Sequence, residues 1–236
     1  MGMNFFDFKQ FRVYQDRCAM KVGTDGVLLG AWADVAGAAR ILDIGCGSGV
    51  VAIIAAQRSG ARVTGIDIDG PSAGQAADNA RLSPFAERLH IVEADLRSFD
   101  PAERFDCILS NPPYLEEPLL PPSARQAAAR HTSGLDFGTL IRHAVRLMAP
   151  EAHFQVVLPQ NAVRHFSEIA RTCGLSLRRR TDVVTRSGKA AKRVLLDFGN
   201  AKGDGEPCCD RLVLTDENGQ PTSQYRELTR DLYLDR

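Results

Sequence analysis

At 236 residues, 44% hydrophobic and 25% charged, the chain is long enough to bury a substantial core and too apolar for wholesale disorder or a coiled coil. Lys plus Arg and Asp plus Glu number 29 each, so the net charge of zero offers no bulk attraction to nucleic acid or anionic lipid, and phosphate binding must come from local clustering. No run approaches the ~20 apolar residues of a spanning helix, and the six cysteines form no C-x-x-C pair or zinc-ligand spacing with histidine; a cytoplasmic protein with free thiols, no membrane partner and no metal is expected.

In chain order, Phe5, Phe6, Phe8, Phe11, Val13 and Tyr14 make an aromatic patch, read as a cover over one sheet edge. Gly23-Thr24-Asp25-Gly26 then leads into an apolar helix, Val27 to Ala33. From residue 40, short β-branched or aliphatic runs alternate with longer Ala-rich amphipathic stretches. Strands are predicted at Arg40–Ile44, Arg62–Ile68, Leu89–Ala94, Phe105–Ser110 and His153–Leu158, and helices near Gly49–Ser59, Ser72–Leu82, Phe137–Met148 and Ala162–Cys173. Two further runs, Leu175–Thr185 and Arg193–Phe198, flank Arg186-Ser187-Gly188-Lys189, a loop suited to antiparallel strands. Residues 207–220 are rich in Gly, Asp, Glu and Pro around a short apolar run, Leu212 to Leu214, and Thr222 is placed to cap a closing helix through Leu232. The expectation is an α/β fold whose mostly parallel, seven-stranded sheet carries helices on both faces and a C-terminal antiparallel hairpin. Residues 1–37 would form an N-terminal cap segment, 38–200 the main domain and 201–236 an appendage packed on it.

Asp43-Ile44-Gly45-Cys46-Gly47-Ser48-Gly49 joins the first main-domain strand to its helix, where glycines let the backbone turn tightly and approach a ligand. Dinucleotide enzymes also place a Gly-rich turn here, spaced Gly-x-Gly-x-x-Gly for a pyrophosphate. The Gly-x-Gly-x-Gly spacing after an acidic residue instead suits a cofactor carrying an ammonium and a carboxylate, such as S-adenosylmethionine. Asp43, Gly45 and Gly47 are therefore candidate cofactor residues. Asp67 ends the second strand, where a carboxylate accepts both ribose hydroxyls; this holds for dinucleotides as well and does not separate the two. Asp95 ends the third, either contacting an adenine amine or as a surface carboxylate.

Asn111-Pro112-Pro113-Tyr114 follows the fourth strand directly. Two prolines fix the backbone and remove two N–H donors, leaving nearby carbonyls to accept hydrogen bonds. A planar amine is a poor nucleophile because its lone pair is delocalised. If the Asn111 side-chain oxygen and the Pro112 carbonyl each accept one of its N–H groups, the lone pair is held toward an electrophilic methyl, and Tyr114 stacks on the planar group. An adenine in nucleic acid would have to be flipped out to reach it. Asn111, Pro112 and Tyr114 are the candidate catalytic residues, with Asn111 also facing the cofactor.

The pair of segments 43–49 and 111–114 resembles the signatures of class I S-adenosylmethionine-dependent methyltransferases acting on planar nitrogens, over residues 38 to 200. That group includes adenine-N6, ribosomal RNA guanine-N2 and release-factor glutamine methyltransferases. Outside this core, Phe8-Lys9-Gln10-Phe11, the run Asp16 to Trp32, Arg180-Thr181-Asp182-Val183, Arg193-Val194-Leu195-Leu196 and Tyr225 to Tyr233 resemble the bacterial tRNA(Val) adenine-N6 methyltransferase family, so the likeness spans nearly the whole chain. It implies a Rossmann-like fold, S-adenosylmethionine as cofactor, and methylation at N6 of the adenosine immediately 3′ of the anticodon in tRNA(Val). Lys21, Thr24 and Asp25 match a signature of that family that covers the cofactor, which adds Thr24 to the cofactor candidates; helix capping accounts equally well for Thr24 and Asp25. The alternatives are a guanine-N2 or glutamine acceptor, or an RNA-binding factor without turnover.

Arg178, Arg179, Arg180, Arg186, Lys189, Lys192 and Arg193 form the densest positive run, opposed only by Asp182. Arg178, Arg180, Arg186 and Lys189 are taken as phosphate contacts for tRNA, against a solvated strand face. The long connection from Leu115 to Asp136 is expected to be a substrate lid with Arg125 and Arg130 near phosphates and His131 an ordinary loop histidine. Oligomeric state is left open, with a monomer as the expectation.

Overall fold

The structure is a computed structural model that describes residues 4–113, 135–200 and 205–234. Strands β1 (Phe5–Asp7) and β2 (Arg12–Tyr14) pair as a small antiparallel hairpin, and helix α1 (Thr24–Trp32) follows. The main sheet begins with β3 (Arg40–Ile44), α2 (Val50–Arg58), β4 (Arg62–Asp67), α3 (Gly70–Leu82), β5 (Leu89–Glu93) and β6 (Phe105–Ser110). It continues with α4 (Phe137–Leu147), β7 (Met148–Pro159), α5 (Val163–Thr172), β8 (Leu175–Arg186), β9 (Arg193–Asn200), β10 (Cys208–Thr215) and α6 (Ser223–Thr229).

Among the described residues the sheet has eight strands in the order β10-β8-β9-β7-β6-β3-β4-β5, antiparallel only where β9 meets β7 and β8. The expected seven strands are corrected to eight, because residues 208–215 pair in parallel with β8 along its length. Only Leu212 to Leu214 in that stretch form an apolar run, and no strand is predicted there; the other positions owe their conformation to hydrogen bonds offered by β8 rather than to apolar alternation. β7 likewise begins at Met148, earlier than its apolar run.

Alternate side chains of each central strand enter different layers, as the period of two requires. Ile41, Cys107, Leu109, Val157 and Leu195 join α1 and α2 in one core, whereas Leu42, Ile108, Val156 and Leu196 join α4 and α5 in the other. The aromatic hairpin is fastened to α3 and to the C-terminal segment, with Phe8 stacked on Phe11 and Tyr233 and Lys9 N–H donating to the Leu232 carbonyl at 2.8 Å. Among the described residues no helix is long and apolar enough to cross a membrane.

Candidate functional site

Register brings the two sequence signatures together. Ile44 is level with Ile66 on one side and with Ser110 on the other, so Gly45, Asp67 and Asn111 leave three adjacent strands at one height. The Ser110 hydroxyl donates to the Ile44 carbonyl at 3.0 Å and locks that alignment. The order of the sheet reverses here, β4 and β5 lying on one side of β3 and β6 on the other, which opens a crevice at the carboxyl ends of the strands.

A cavity of about 540 Å³ fills the crevice, lined by Gly45, Gly47, Asp67, Asp95, Asn111 and Pro112 among others. Gly45 and Gly47 adopt φ of +72° and +55°, and a Cβ on either would meet nothing within 4 Å; glycine is required by backbone conformation, and the space above it is open. Asp67 is shaped from below: Oδ2 accepts Gly47 N–H at 2.8 Å and Oδ1 accepts Asp69 N–H at 2.9 Å, leaving each oxygen a further lone pair. Burial pushes its carboxyl above the usual range. Asp95 is gripped by Arg97, whose Nε lies 2.9 Å from both carboxylate oxygens, which holds its pKa below the ordinary value.

Asp43 and Thr24 lie outside the cavity wall. Asp43 is 1% exposed beneath the loop, where Oδ2 accepts Ala52 N–H at 3.0 Å; burial, with Asp67's charge adding, pushes its pKa up to about 7. Thr24 is exposed in the first turn of α1. Its helix backs onto the site, since a Cβ on Gly26 would come 3.8 Å from Asn111 Nδ2, while Asp25 pairs with Arg193 at 2.8 Å. Tyr114, Arg125, Arg130 and His131 lie outside the described residues.

The basic run is split by strand direction. β9 is antiparallel to both neighbours, so β8 points with β7, and its end at Arg186, with the following Lys189 and Lys192, emerges on the same sheet edge as the cavity. Arg178 sits at the other end of β8, roughly 25 Å away at ~3.3 Å per residue, at a bulge beside His153. Arg180 is tied to Asp182 at 2.9 Å. Lys189 and Lys192 are exposed, whereas Arg186 donates to the Glu217 carbonyl. Of the four residues expected to contact phosphate, Arg186 and Lys189 thus emerge on the cavity's sheet edge, whereas Arg178 lies toward the opposite edge and Arg180 is paired within β8.

Among the residues that also line the cavity and are not singled out in the sequence are Ala19, Met20, Ile68 and Asp69. Ile68 and Asp69 directly follow Asp67, whereas Ala19 and Met20 arrive from the N-terminal segment, inside the Asp16 to Trp32 run that carries the family resemblance but marks no cavity residue there. The whole lining fits S-adenosylmethionine: a glycine cradle for the amino-acid end, a carboxylate with free lone pairs for the ribose, and Ile66, Ile68 and Leu96 as an apolar slot for adenine.

Residues 41–130 match a family model described as a methyltransferase domain. The chain is 42% identical over 238 residues, 99% of each chain, to a tRNA1(Val) (adenine(37)-N6)-methyltransferase of Bacteroides fragilis. It is 44% identical over 233 residues, 97% of this chain and 94% of the relative, to a protein of the same name from Enterobacter sp. strain 638. The fold resembles a crystal structure of a predicted O-methyltransferase from Agrobacterium tumefaciens, with a TM-score of 0.67 at 22% identity over 90% of this chain and 99% of that one. It also resembles an N-methyltransferase of Bradyrhizobium japonicum in complex with S-adenosyl-L-homocysteine, with a TM-score of 0.51 at 21% identity over 74% of this chain and 83% of that one. Those two likenesses bear on the fold alone; the near-complete coverage at over 40% identity bears on the family. The protein belongs to the tRNA1(Val) (adenine(37)-N6)-methyltransferase family.

Proposed function

We propose that the protein transfers a methyl group from S-adenosylmethionine to N6 of the adenosine immediately 3′ of the anticodon in tRNA(Val), position 37 in the name of its relatives. The observation that carries this reading is that Asn111 and Pro112 share one cavity with Gly45, Gly47 and Asp67, brought level by strand register. When bound, S-adenosylmethionine supplies an electrophilic sulfonium methyl. Gly45 and Gly47 admit its amino-acid end, with Asp43 supporting the loop from beneath. Asp67 accepts the ribose hydroxyls on its remaining lone pairs, and Asp95 accepts the adenine amine. Thr24 acts indirectly, from the helix behind Asn111.

Asn111 and Pro112 do the chemical positioning. The Asn111 side-chain oxygen and the Pro112 carbonyl each accept one N–H of the target amine, which turns its lone pair toward the methyl and stabilises the charge that grows on nitrogen. Tyr114 is assigned the stacking platform for the flipped adenine on its sequence position. Phosphates are met by Arg186, Lys189 and Lys192 on the same edge of the sheet as the cavity, and by Arg125 and Arg130 on their sequence positions. Arg178 and Arg180 are withdrawn from that role, one by its place at the opposite edge and the other by Asp182. A tRNA substrate places the enzyme in the cytoplasm.

Labelled S-adenosylmethionine and unmodified tRNA(Val) transcript test the proposal. The expected product is N6-methyladenosine, identified by nucleoside mass spectrometry, and Asn111→Ala lowers kcat at least ~100-fold. Label recovered in guanine or in protein overturns the substrate assignment. The double variant Lys189→Ala, Lys192→Ala is expected to flatten the dependence of log Kd on log salt by about two phosphate contacts, whereas Arg178→Ala leaves it unchanged.

A further inference from the structure

Ser72, Gln75 and Asn79 are buried polar residues spaced three and four apart, which aligns them on one face of the otherwise Ala-rich α3. That face receives the N-terminal segment running in the opposite direction. Asn79 Oδ1 accepts Tyr14 N–H at 2.9 Å, Gln75 Oε1 accepts Arg17 N–H at 3.2 Å, and Ser72 Oγ accepts Ala19 N–H at 3.5 Å. The segment so fastened delivers Ala19 and Met20 to the wall of the cavity.

Asn79 makes a second attachment. Its Nδ2 donates to the Tyr14 carbonyl at 2.8 Å and to the Ser48 carbonyl at 2.9 Å, and Ser48 lies between Gly47 and Gly49 of the glycine loop. The same loop rests on α3 elsewhere, since a Cβ on Gly49 would come 3.1 Å from Ala76 Cβ. One side chain, 0% exposed, thus ties α3 both to Ser48 of the glycine loop and to Tyr14, from which the segment runs on to Ala19 and Met20. We propose that Asn79 is a positioning residue for the cofactor, setting the separation between the glycine loop and the N-terminal segment that carries the Ala19-Met20 strap by bonding to Ser48 in the one and to Tyr14 in the other. Only an amide of this length supplies one acceptor and two donors there; a carboxylate at the same place turns both donations into repulsions between acceptors.

The inference rests on the reading of this cavity as the cofactor site, so Asp67→Ala serves as its control. Steady-state kinetics with tRNA(Val) transcript, and calorimetric titration with S-adenosyl-L-homocysteine, are applied to Asn79→Asp and Gln75→Leu. Asn79→Asp is expected to raise KM for S-adenosylmethionine and Kd for S-adenosyl-L-homocysteine by about 10–100-fold, with kcat and KM for tRNA within about threefold of the unsubstituted protein. Gln75→Leu, which frees only the strap, gives a smaller rise in the same two constants and carries the test if Asn79→Asp does not fold. A fall in kcat with both cofactor constants unchanged overturns the proposal, because that is the behaviour of a residue serving stability alone. Unchanged binding in Asp67→Ala overturns the cavity reading itself, and is distinguishable from loss of Asp67 binding alongside intact binding in both α3 variants, which overturns only the role of Asn79.

Discussion

Asp43 shows how a single buried group writes itself into the pH dependence of the fold. An unfolded Asp titrates near ~3.9, whereas burial in the folded chain pushes Asp43 up to about 7. Between those values the folded state holds more protons than the unfolded state, so the contribution of Asp43 to stability falls as pH rises from about 4 to about 7 and stays low above that. Asn keeps an oxygen for Ala52 N–H and removes the charge. In thermal unfolding of the cofactor-free protein, Asp43→Asn is expected to gain on the unsubstituted chain as pH is raised from about 5 to about 8; a difference constant across that range would refute the assignment. Asp43 was legible from its place before the glycine loop, but its position beneath the loop rather than in the cavity was not, because the spacing of a motif does not say which side of the backbone a side chain takes.

Elements are held to one another by contacts with opposite tolerances. A Cβ on Gly30 of α1 would lie 2.9 to 3.2 Å from three atoms of Ile54, a fully buried residue of α2 with no room to yield. Ala gains about 1 kcal/mol of helix propensity, but overpacking of this kind costs about 1–3 kcal/mol, so Gly30→Ala is expected to lower the denaturation midpoint. One turn earlier, a Cβ on Gly26 would meet its nearest neighbour at 3.5 Å, an ordinary contact, and Gly26→Ala should leave the midpoint unchanged or raise it. Between β7 and β9, His153 Nδ1 lies 2.9 Å from Asp197 Oδ2, and this hydrogen bond raises the histidine pKa. A histidine so raised adds stability that is full below its unfolded pKa of about 6.5 and is lost as pH climbs through the folded value. His153→Gln should therefore show its largest loss of Tm near pH 5.5 and a smaller one at pH 8, the reverse trend counting against the pair.

The two ends of the described chain close over one core. Leu232 is 2% exposed within the layer of α1 and α2, Tyr233 stacks with Phe8, and α6 leads into both from β10. Trp32 Nε1 donates to Thr181 Oγ1 at 2.8 Å, and Thr181 in turn donates to Asp210, which ties α1, β8 and the edge strand β10 together. Leu232→Ala should create a cavity costing about 2–4 kcal/mol and lower Tm by roughly 5–10 °C without changing KM for the cofactor. Residues 205–234 thus act on the whole molecule through the core and the sheet edge.

The sequence by itself determined the elements whose signals are local: the strands from Arg40 to Ser110, the helices between them, the glycine loop, and the acceptor character of Asn111-Pro112-Pro113. Those follow from side-chain period, glycine freedom and proline's missing N–H, all of which act within a few residues. Only the tertiary structure decided that Gly45, Asp67 and Asn111 stand level, that β10 extends the sheet, that Arg178 and Lys189 occupy opposite edges, and that Asn79 faces inward to bind Tyr14 and Ser48. Each of these depends on strand direction or on a pairing between residues more than 20 positions apart, and such pairings leave no trace in local spacing.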